Sequence, residues 1–265
     1  TQPTEQWTSK WAYILAATGA AVGLGNVWKF PYIAGENGGG AFVLIYLACI
    51  VLIGVPLLMT ETLIGRRGRQ NPSGAMRTVA MESKRTPHWH WLGSIYILCG
   101  FLILSYYSVI AGWALDYVFQ SGLGHFTNAS AAHIDHLFER LVSSPWKLLI
   151  WHSLIMGSTI WVVAMGIQHG LERSVRYMFP AMFILLLIII GYAATTSEFS
   201  AGLRFLFTPD FSAISSQGIL IALGHAFFTL SLATGSIMMY GAYVPKDVSI
   251  TKAALAIAGA DTLIA

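Results

Sequence analysis

Charge is the scarcest property of this sequence. Lys, Arg, Asp and Glu make up 10% of its 265 residues, against roughly 25% in an ordinary soluble domain. Too few ions remain to solvate the surface of a soluble globule of this size, so that class is excluded. Cysteine is nearly absent as well. Cys49 and Cys99 fall in different apolar runs, which argues against a disulfide framework and leaves buried thiols packed as small apolar side chains. Strand-like alternation of apolar and polar residues is missing. So is any nucleophile, base and orienting residue at a readable spacing, which argues against an enzyme. No cleavable secretory leader is visible, because the first apolar run is too long and lacks a small-residue cleavage site.

What fills the chain is hydrocarbon. Apolar residues make up 55% of it, mean hydropathy is +0.64, and there are nine tryptophans. One soluble core of this length cannot hide so much apolar surface. The chain reads as an all-α, polytopic membrane protein. Apolar runs occur at roughly 11–35, 41–64, 91–119, 146–165, 174–194 and 217–243, each near or above the ~20 residues a crossing helix needs. A seventh run, from after Lys252 to Ala265, is too short to cross. The sequence is therefore expected to end inside a helix, as a fragment of a longer protein with a single transmembrane domain over residues 1–265.

Lys and Arg gather on one side of these runs. Arg66, Arg67, Arg69, Arg77, Lys84 and Arg85 lie between spans two and three, and Lys10, Arg173, Arg176, Lys246 and Lys252 lie on the same side. The opposite loops hold Arg140, Lys147 and Arg204. The positive-inside rule then places the N-terminus in the cytoplasm, with the protein crossing the cell (plasma) membrane. The net charge of +3 is thereby a topology signal and, lacking a basic aromatic stripe, no sign of nucleic-acid binding.

Other loop features carry less. His88-Trp89-His90 and His133-Ile134-Asp135-His136 offer ligand atoms but no second pair at zinc-site spacing. Asn128-Ala129-Ser130 fits a glycosylation acceptor, relevant only in a eukaryotic host. Gly35-Glu36-Asn37-Gly38-Gly39-Gly40 lacks the Gly-Lys-Ser/Thr of a phosphate cradle and reads as a tight turn between spans one and two.

Two runs are interrupted where hydrocarbon is expected. In the first, Gly23, Gly25, Asn26 and Lys29 stand in mid-span. A helix broken there frees peptide groups that cannot face lipid and must meet protein or a polar cavity. The alternative is a small-residue packing face, Gly19-x-x-x-Gly23, with Lys29 snorkelling outward, which leaves Asn26 unexplained. In the sixth, Thr229, Ser231, Thr234, Gly235 and Ser236 interrupt the run, unless these hydroxyls merely back-bond to the preceding turn. Breaks at corresponding positions point to an inverted-repeat transporter, with a first repeat over about 11–194 and a second starting over about 217–265.

The same residues carry a resemblance. Ala21-Val22-Gly23-Leu24-Gly25-Asn26-Val27-Trp28-Lys29-Phe30-Pro31, Glu36-Asn37-Gly38-Gly39-Gly40-Ala41-Phe42 and Phe227-Phe228-Thr229-Leu230-Ser231 resemble the signature segments of the neurotransmitter:sodium symporter family, most nearly its bacterial amino-acid transporters. Gly54-Val55-Pro56-Leu57, Glu61, Gly65-Arg66, Tyr106-Tyr107 and Trp113 fit the same pattern. The similarity covers the whole chain. It implies discontinuous helices one and six and a sodium-coupled symporter of neutral amino acids working by alternating access. An ion channel with broken helices lining a pore is the alternative.

The resemblance also implies a site. One sodium ion would use the Ala21 carbonyl, the Asn26 side chain, the Thr229 carbonyl and hydroxyl, and Asp261, with the substrate carboxylate adding an oxygen. That shared oxygen would couple ion and substrate reciprocally. A second ion would use the Gly19 and Val22 carbonyls. The substrate carboxylate would meet the Leu24 and Gly25 N–H groups and the Tyr107 hydroxyl, and its ammonium the carbonyls of Ala21, Phe228 and Thr229. Monoamine carriers of the family have an aspartate where Gly23 stands, so glycine implies an amino acid. Its side chain would lie among Ile103, Tyr107, Phe228, Ser231 and Thr234. Threonine at 234, in place of a large apolar residue, leaves room and adds a hydroxyl, which favours hydrophobic or aromatic substrates.

Departures from the family pattern matter too. Lys29 replaces the outer-gate arginine and loses its bidentate fork. His225 stands where a bacterial glutamine contacts that gate, either as a pH-sensitive group or as a buried neutral histidine bonded to a neighbour. Thr4 stands near an inner-gate arginine of the relatives, and Tyr243 belongs to the same gating set. Asp261 replaces the usual asparagine, while Ala265 stands where chloride-independent relatives can place a carboxylate. Asp261 either supplies that missing charge, so that chloride is not required, or only neutralises sodium. Glu61 is expected to accept hydrogen bonds from the unwound sixth span. The implied partners are an amino acid, about one or two sodium ions and the lipid bilayer; the oligomeric state is not readable.

Overall fold

The computed structural model describes residues 6–265, and every regular element among them is helical. Among the described residues, four apolar helices are long enough to cross a bilayer: Gly40–Gly68, Pro87–Gly122, Pro145–Ala164 and Ile167–Ala193. The first and sixth runs are absent from that set because each is broken. In the first, α1 (Lys10–Ala21) is capped by the Ser9 hydroxyl and stops at Val22, whose backbone turns extended with ψ 118°. A π-helical segment, Gly25–Lys29, leads into α2 (Phe30–Glu36). Pro31 follows this π segment after Phe30, and the widened turn accommodates a ring that has no N–H to add to the ladder.

The second span joins α3 (Gly40–Cys49) and α4 (Val55–Gly68) through a π segment, Ile50–Gly54. This widening immediately precedes Pro56 and accommodates a ring that the regular ladder would not. Span three is α6 (His90–Gly122), span four α8 (Pro145–Ala164) and span five α9 (Arg173–Ala193) behind a π segment at Ile167–Glu172. The sixth run is split into α11 (Ser216–Thr229) and α12 (Ser236–Ala242). The seventh, α13 (Ile250–Ile264), starts on a Ser249 cap.

Three further helices occupy stretches between the predicted spans: α5 (Pro72–Glu82), α7 (Ala131–Val142) and α10 (Phe199–Phe207). Their signals are caps and amphipathic spacing, not hydropathy. Asn71 accepts from the Gly74 N–H and Ser130 from the His133 N–H, and α7 buries Leu137 and Leu141 on one face.

The largest fully buried side chains, including Tyr13, Phe42, Tyr46, Leu58, Leu230, Ile237 and Ile257, come from spans one, two, six and seven. Those spans form the packed centre, whereas α8 and α9 bury none of their own residues. Apolar side chains on the outside are suited to lipid, and association among the helices then rests on close packing and interhelical hydrogen bonds.

Candidate functional site

The two breaks face each other. In the first, the Gly23 N–H, freed from the helix, donates to Asn26 Oδ1 at 3.1 Å. Both flanking glycines let aromatic side chains approach closely. A Cβ on Gly23 would stand 2.8 Å from the Tyr107 hydroxyl, and one on Gly25 would stand 2.8 Å from Phe228 Cε1. The Tyr107 hydroxyl faces the Leu24 and Gly25 N–H groups.

In the sixth span the chain turns through left-handed backbone at Ser231 (φ 53°), Ala233 (φ 58°) and Gly235 (φ 79°). Two of these are not glycine, and such residues cost roughly 1–2 kcal/mol each in that conformation. Neighbours hold them. Glu61 Oε1 accepts from the Ala233 N–H at 2.8 Å, and Ser231 Oγ donates to the Ala20 carbonyl at 2.9 Å. Thr234 Oγ1 donates to the Ser231 carbonyl at 2.7 Å and lies 3.0 Å from Ser236 Oγ. The threonine hydroxyl therefore gives its proton to the break itself, while the residue still lines the cavity between the breaks.

Behind the breaks lies a buried polar cluster. Asn26 is 1% exposed and Thr229 and Asp261 are 0% exposed. Asn26 Nδ2 donates to Asp261 Oδ1 at 2.8 Å and to Thr229 Oγ1 at 3.0 Å. The Thr229 hydroxyl lies 3.0 Å from both Asp261 carboxylate oxygens. The amide thus presents its nitrogen to the carboxylate, while its oxygen is held by Gly23. A cation bound through the Asn26 oxygen requires that amide to turn over.

A cavity of about 580 Å³ opens between the breaks and α6. It is lined by Ala21, Gly25, Ile103, Tyr107, Phe228, Ser231 and Thr234. Thr229 belongs to the buried cluster instead, and the Leu24 side chain turns toward a second cavity beside Trp28 and Trp113. Gly19 does not reach the first cavity either: a Cβ there would stand 3.2 Å from Val175 Cγ1 on α9. Val22 is buried, with its N–H bonded to the Thr18 carbonyl at 2.7 Å.

Lys29 Nζ sits 4.9 Å from the centroid of the Phe228 ring, a cation–π placement. His225 is buried and stacks on Phe30 at 5.2 Å. Neither of its ring nitrogens has a hydrogen-bond partner among the described residues, so the expected bond to a neighbour is replaced by aromatic packing. The Tyr243 carbonyl accepts from the Trp7 N–H at 3.2 Å, and the Trp7 indole donates to the Tyr240 carbonyl at 3.0 Å. Thr4 lies outside the described residues.

Sequence reasoning missed Trp7 and Tyr46. Tyr46 is 1% exposed and packs against Phe30 with the rings tilted and their centroids 4.8 Å apart; its signal is a lone phenol in an apolar stretch. No group of three or more His, Cys, Asp or Glu side chains that could hold a metal occurs among the described residues.

A model of the sodium:neurotransmitter symporter family matches residues 4–134 and 122–264. YhdH, an uncharacterized sodium-dependent transporter of Bacillus subtilis (strain 168), is 39% identical over 256 residues, covering 97% of this chain and 56% of the relative. The sodium-dependent neutral amino acid transporter B(0)AT2 of Bos taurus is 29% identical, over 91% of this chain and 36% of its own length. Among solved structures, MhsT in complex with L-phenylalanine matches with a TM-score of 0.89 and 44% identity, over 98% of this chain and 58% of that one. The chain thus spans at most 58% of the length of these relatives.

Proposed function

Because the chain belongs to the sodium:neurotransmitter symporter family, we propose that the protein carries a neutral amino acid, hydrophobic or aromatic, together with sodium by alternating access. The observation that carries this reading is the meeting of two broken spans around one cavity, with peptide groups released from the helical ladder and held by side chains at its rim, and a buried carboxylate behind it. A volume of about 580 Å³ lies in the range of sites for single small molecules.

In this reading the substrate carboxylate takes the N–H groups of Leu24 and Gly25 and the Tyr107 hydroxyl. The ammonium meets carbonyls of Ala21, Phe228 and Thr229, and the side chain lies among Ile103, Phe228, Ser231 and Thr234. Hydrogen-bond donors at a half-helix start suit an anion. Sodium enters as a transported ion at Ala21, Asn26, Thr229 and Asp261, displacing the Asn26 amide protons from the carboxylate, and a second ion uses the carbonyls of Gly19 and Val22. Because Asp261 supplies a negative charge, chloride is not required. Each sodium moving inward down the membrane potential releases about 2.3 kcal/mol per 100 mV. Lys29 and His225 flank Phe228 as the outer gate, and Tyr243 with Trp7 closes the N-terminal side, which we place in the cytoplasm. No observation favours the channel reading.

The test is equilibrium binding of each labelled amino acid to the intact protein in nanodiscs, in sodium or choline salts and in chloride or gluconate. Sodium-dependent, chloride-independent binding of a hydrophobic or aromatic amino acid is expected. Equal binding in choline overturns the proposal.

A further inference from the structure

Span three turns two different faces to its neighbours. Ile103 and Tyr107 line the cavity. Ser108, Gly112 and Asp116, each four residues apart on another face, are buried. That face meets α8 at one dipeptide. A Cβ on Gly112 would stand 3.1 Å from Trp151 Cβ and 3.4 Å from the His152 nitrogen, so the two backbones touch there. From this point the two side chains part. The Trp151 indole N–H donates to Asp116 Oδ1 at 2.8 Å, one turn further along α6. His152 Nδ1 lies 3.0 Å from Ser108 Oγ, one turn earlier. Gln120 Nε2 adds a donor to the other Asp116 oxygen at 3.4 Å. Ser108 also donates to the Ser105 carbonyl and Asp116 keeps Gln120, so exchanging an α8 partner for an apolar group removes the bond between the helices while each α6 group retains one on its own helix.

A backbone contact bracketed by hydrogen bonds on both sides fixes the rotation of α6 about its own axis. Rotation is the motion the cavity tolerates least. A phenol oxygen standing roughly 8 Å from a helix axis moves about 1.4 Å for each ~10° of turn, which is enough to take the Tyr107 hydroxyl out of reach of the Leu24 and Gly25 N–H groups. We infer that Trp151 and His152 are positioning residues for substrate binding: they clamp span three to span four at the rotation that presents Tyr107 to the first break. The inference rests on the proposed role of Tyr107 toward the substrate carboxylate.

The test is a double-mutant cycle in the intact protein in nanodiscs, using the labelled amino acid that binds best in the sodium screen. Trp151→Phe, His152→Leu and His152→Asn are measured alone and with Tyr107→Phe. Trp151→Phe and His152→Leu should each raise Kd about three- to tenfold, the span covered by one interhelical hydrogen bond in a membrane, with the number of binding sites unchanged. His152→Asn, which retains a polar atom near the Nδ1 position, should bind like the parent. With Tyr107→Phe present, neither clamp change should weaken binding further. Unchanged Kd, fewer sites at unchanged Kd, or an equal loss on the Tyr107→Phe background each overturns the inference. A parent-like Kd for Tyr107→Phe itself overturns the role given to Tyr107, and the clamp falls with it, so the two failures are distinguishable.

Discussion

At Asp261 a carboxylate is completely buried with two donated protons within reach, one from the Asn26 amide and one from the Thr229 hydroxyl. An unpaired buried charge is costly, and hydrogen bonds alone offset it only in part. On the proposed reading the remainder comes from the transported cation, which the carboxylate neutralises without help from a mobile anion. Asp261→Asn removes that charge while keeping the shape. Sodium-stimulated binding should then become dependent on chloride, measured as a fall in affinity when chloride is replaced by gluconate. Equal binding in the two salts would leave Asp261 no role in charge balance. Residue identity announced this site well before its geometry did. Asn26 and Asp261 are conspicuous in hydrocarbon, but which end of the Asn26 amide faces the carboxylate depends on the freed Gly23 N–H competing for its oxygen, and no spacing rule contains that competition.

The breaks themselves were legible at the level of elements, because glycine and hydroxyl side chains in mid-span are the places where a ladder of intrahelical bonds is weakest. What holds the broken ends was less visible. Glu61 stands on an unbroken helix, yet it receives the Ala233 N–H at the centre of the left-handed turn. Glu61→Leu leaves that N–H without a partner, at a cost of about 1–3 kcal/mol, and should lower both the melting temperature and substrate affinity. Glu61→Gln keeps an acceptor oxygen and should restore most of each. If the leucine variant melts and binds like the parent, the turn is held by other contacts. The same scale shows why α5, α7 and α10 escaped the hydropathy pattern. Their apolar residues lie on one face, so averaging along the chain cancels the signal that burial of Leu137 and Leu141 makes plain.

For the whole molecule, the chain order of the spans fixes which loops share a side once the first and sixth runs are counted as crossings despite their breaks. The turn holding Lys84 and Arg85 then lies on the N-terminal side, and the segment around Asn128 lies opposite. Charge decides which side is cytoplasmic, since Lys and Arg resist translocation and accumulate in short loops that stay inside. Arg66, Arg67 and Arg69 are each held by a partner. Arg66 and Arg69 donate to the carbonyls of Val248 and Val244 at 2.6 and 2.9 Å, and Arg67 pairs with Glu82 at 2.5 Å. On a background in which Cys49, Cys99 and every other cysteine of the intact protein are replaced by alanine, Asn128→Cys should react with a membrane-impermeant maleimide in intact cells. Lys84→Cys should react only after the membrane is permeabilised. The reverse pattern would invert the orientation, and with it the direction in which the proposed sodium gradient does work.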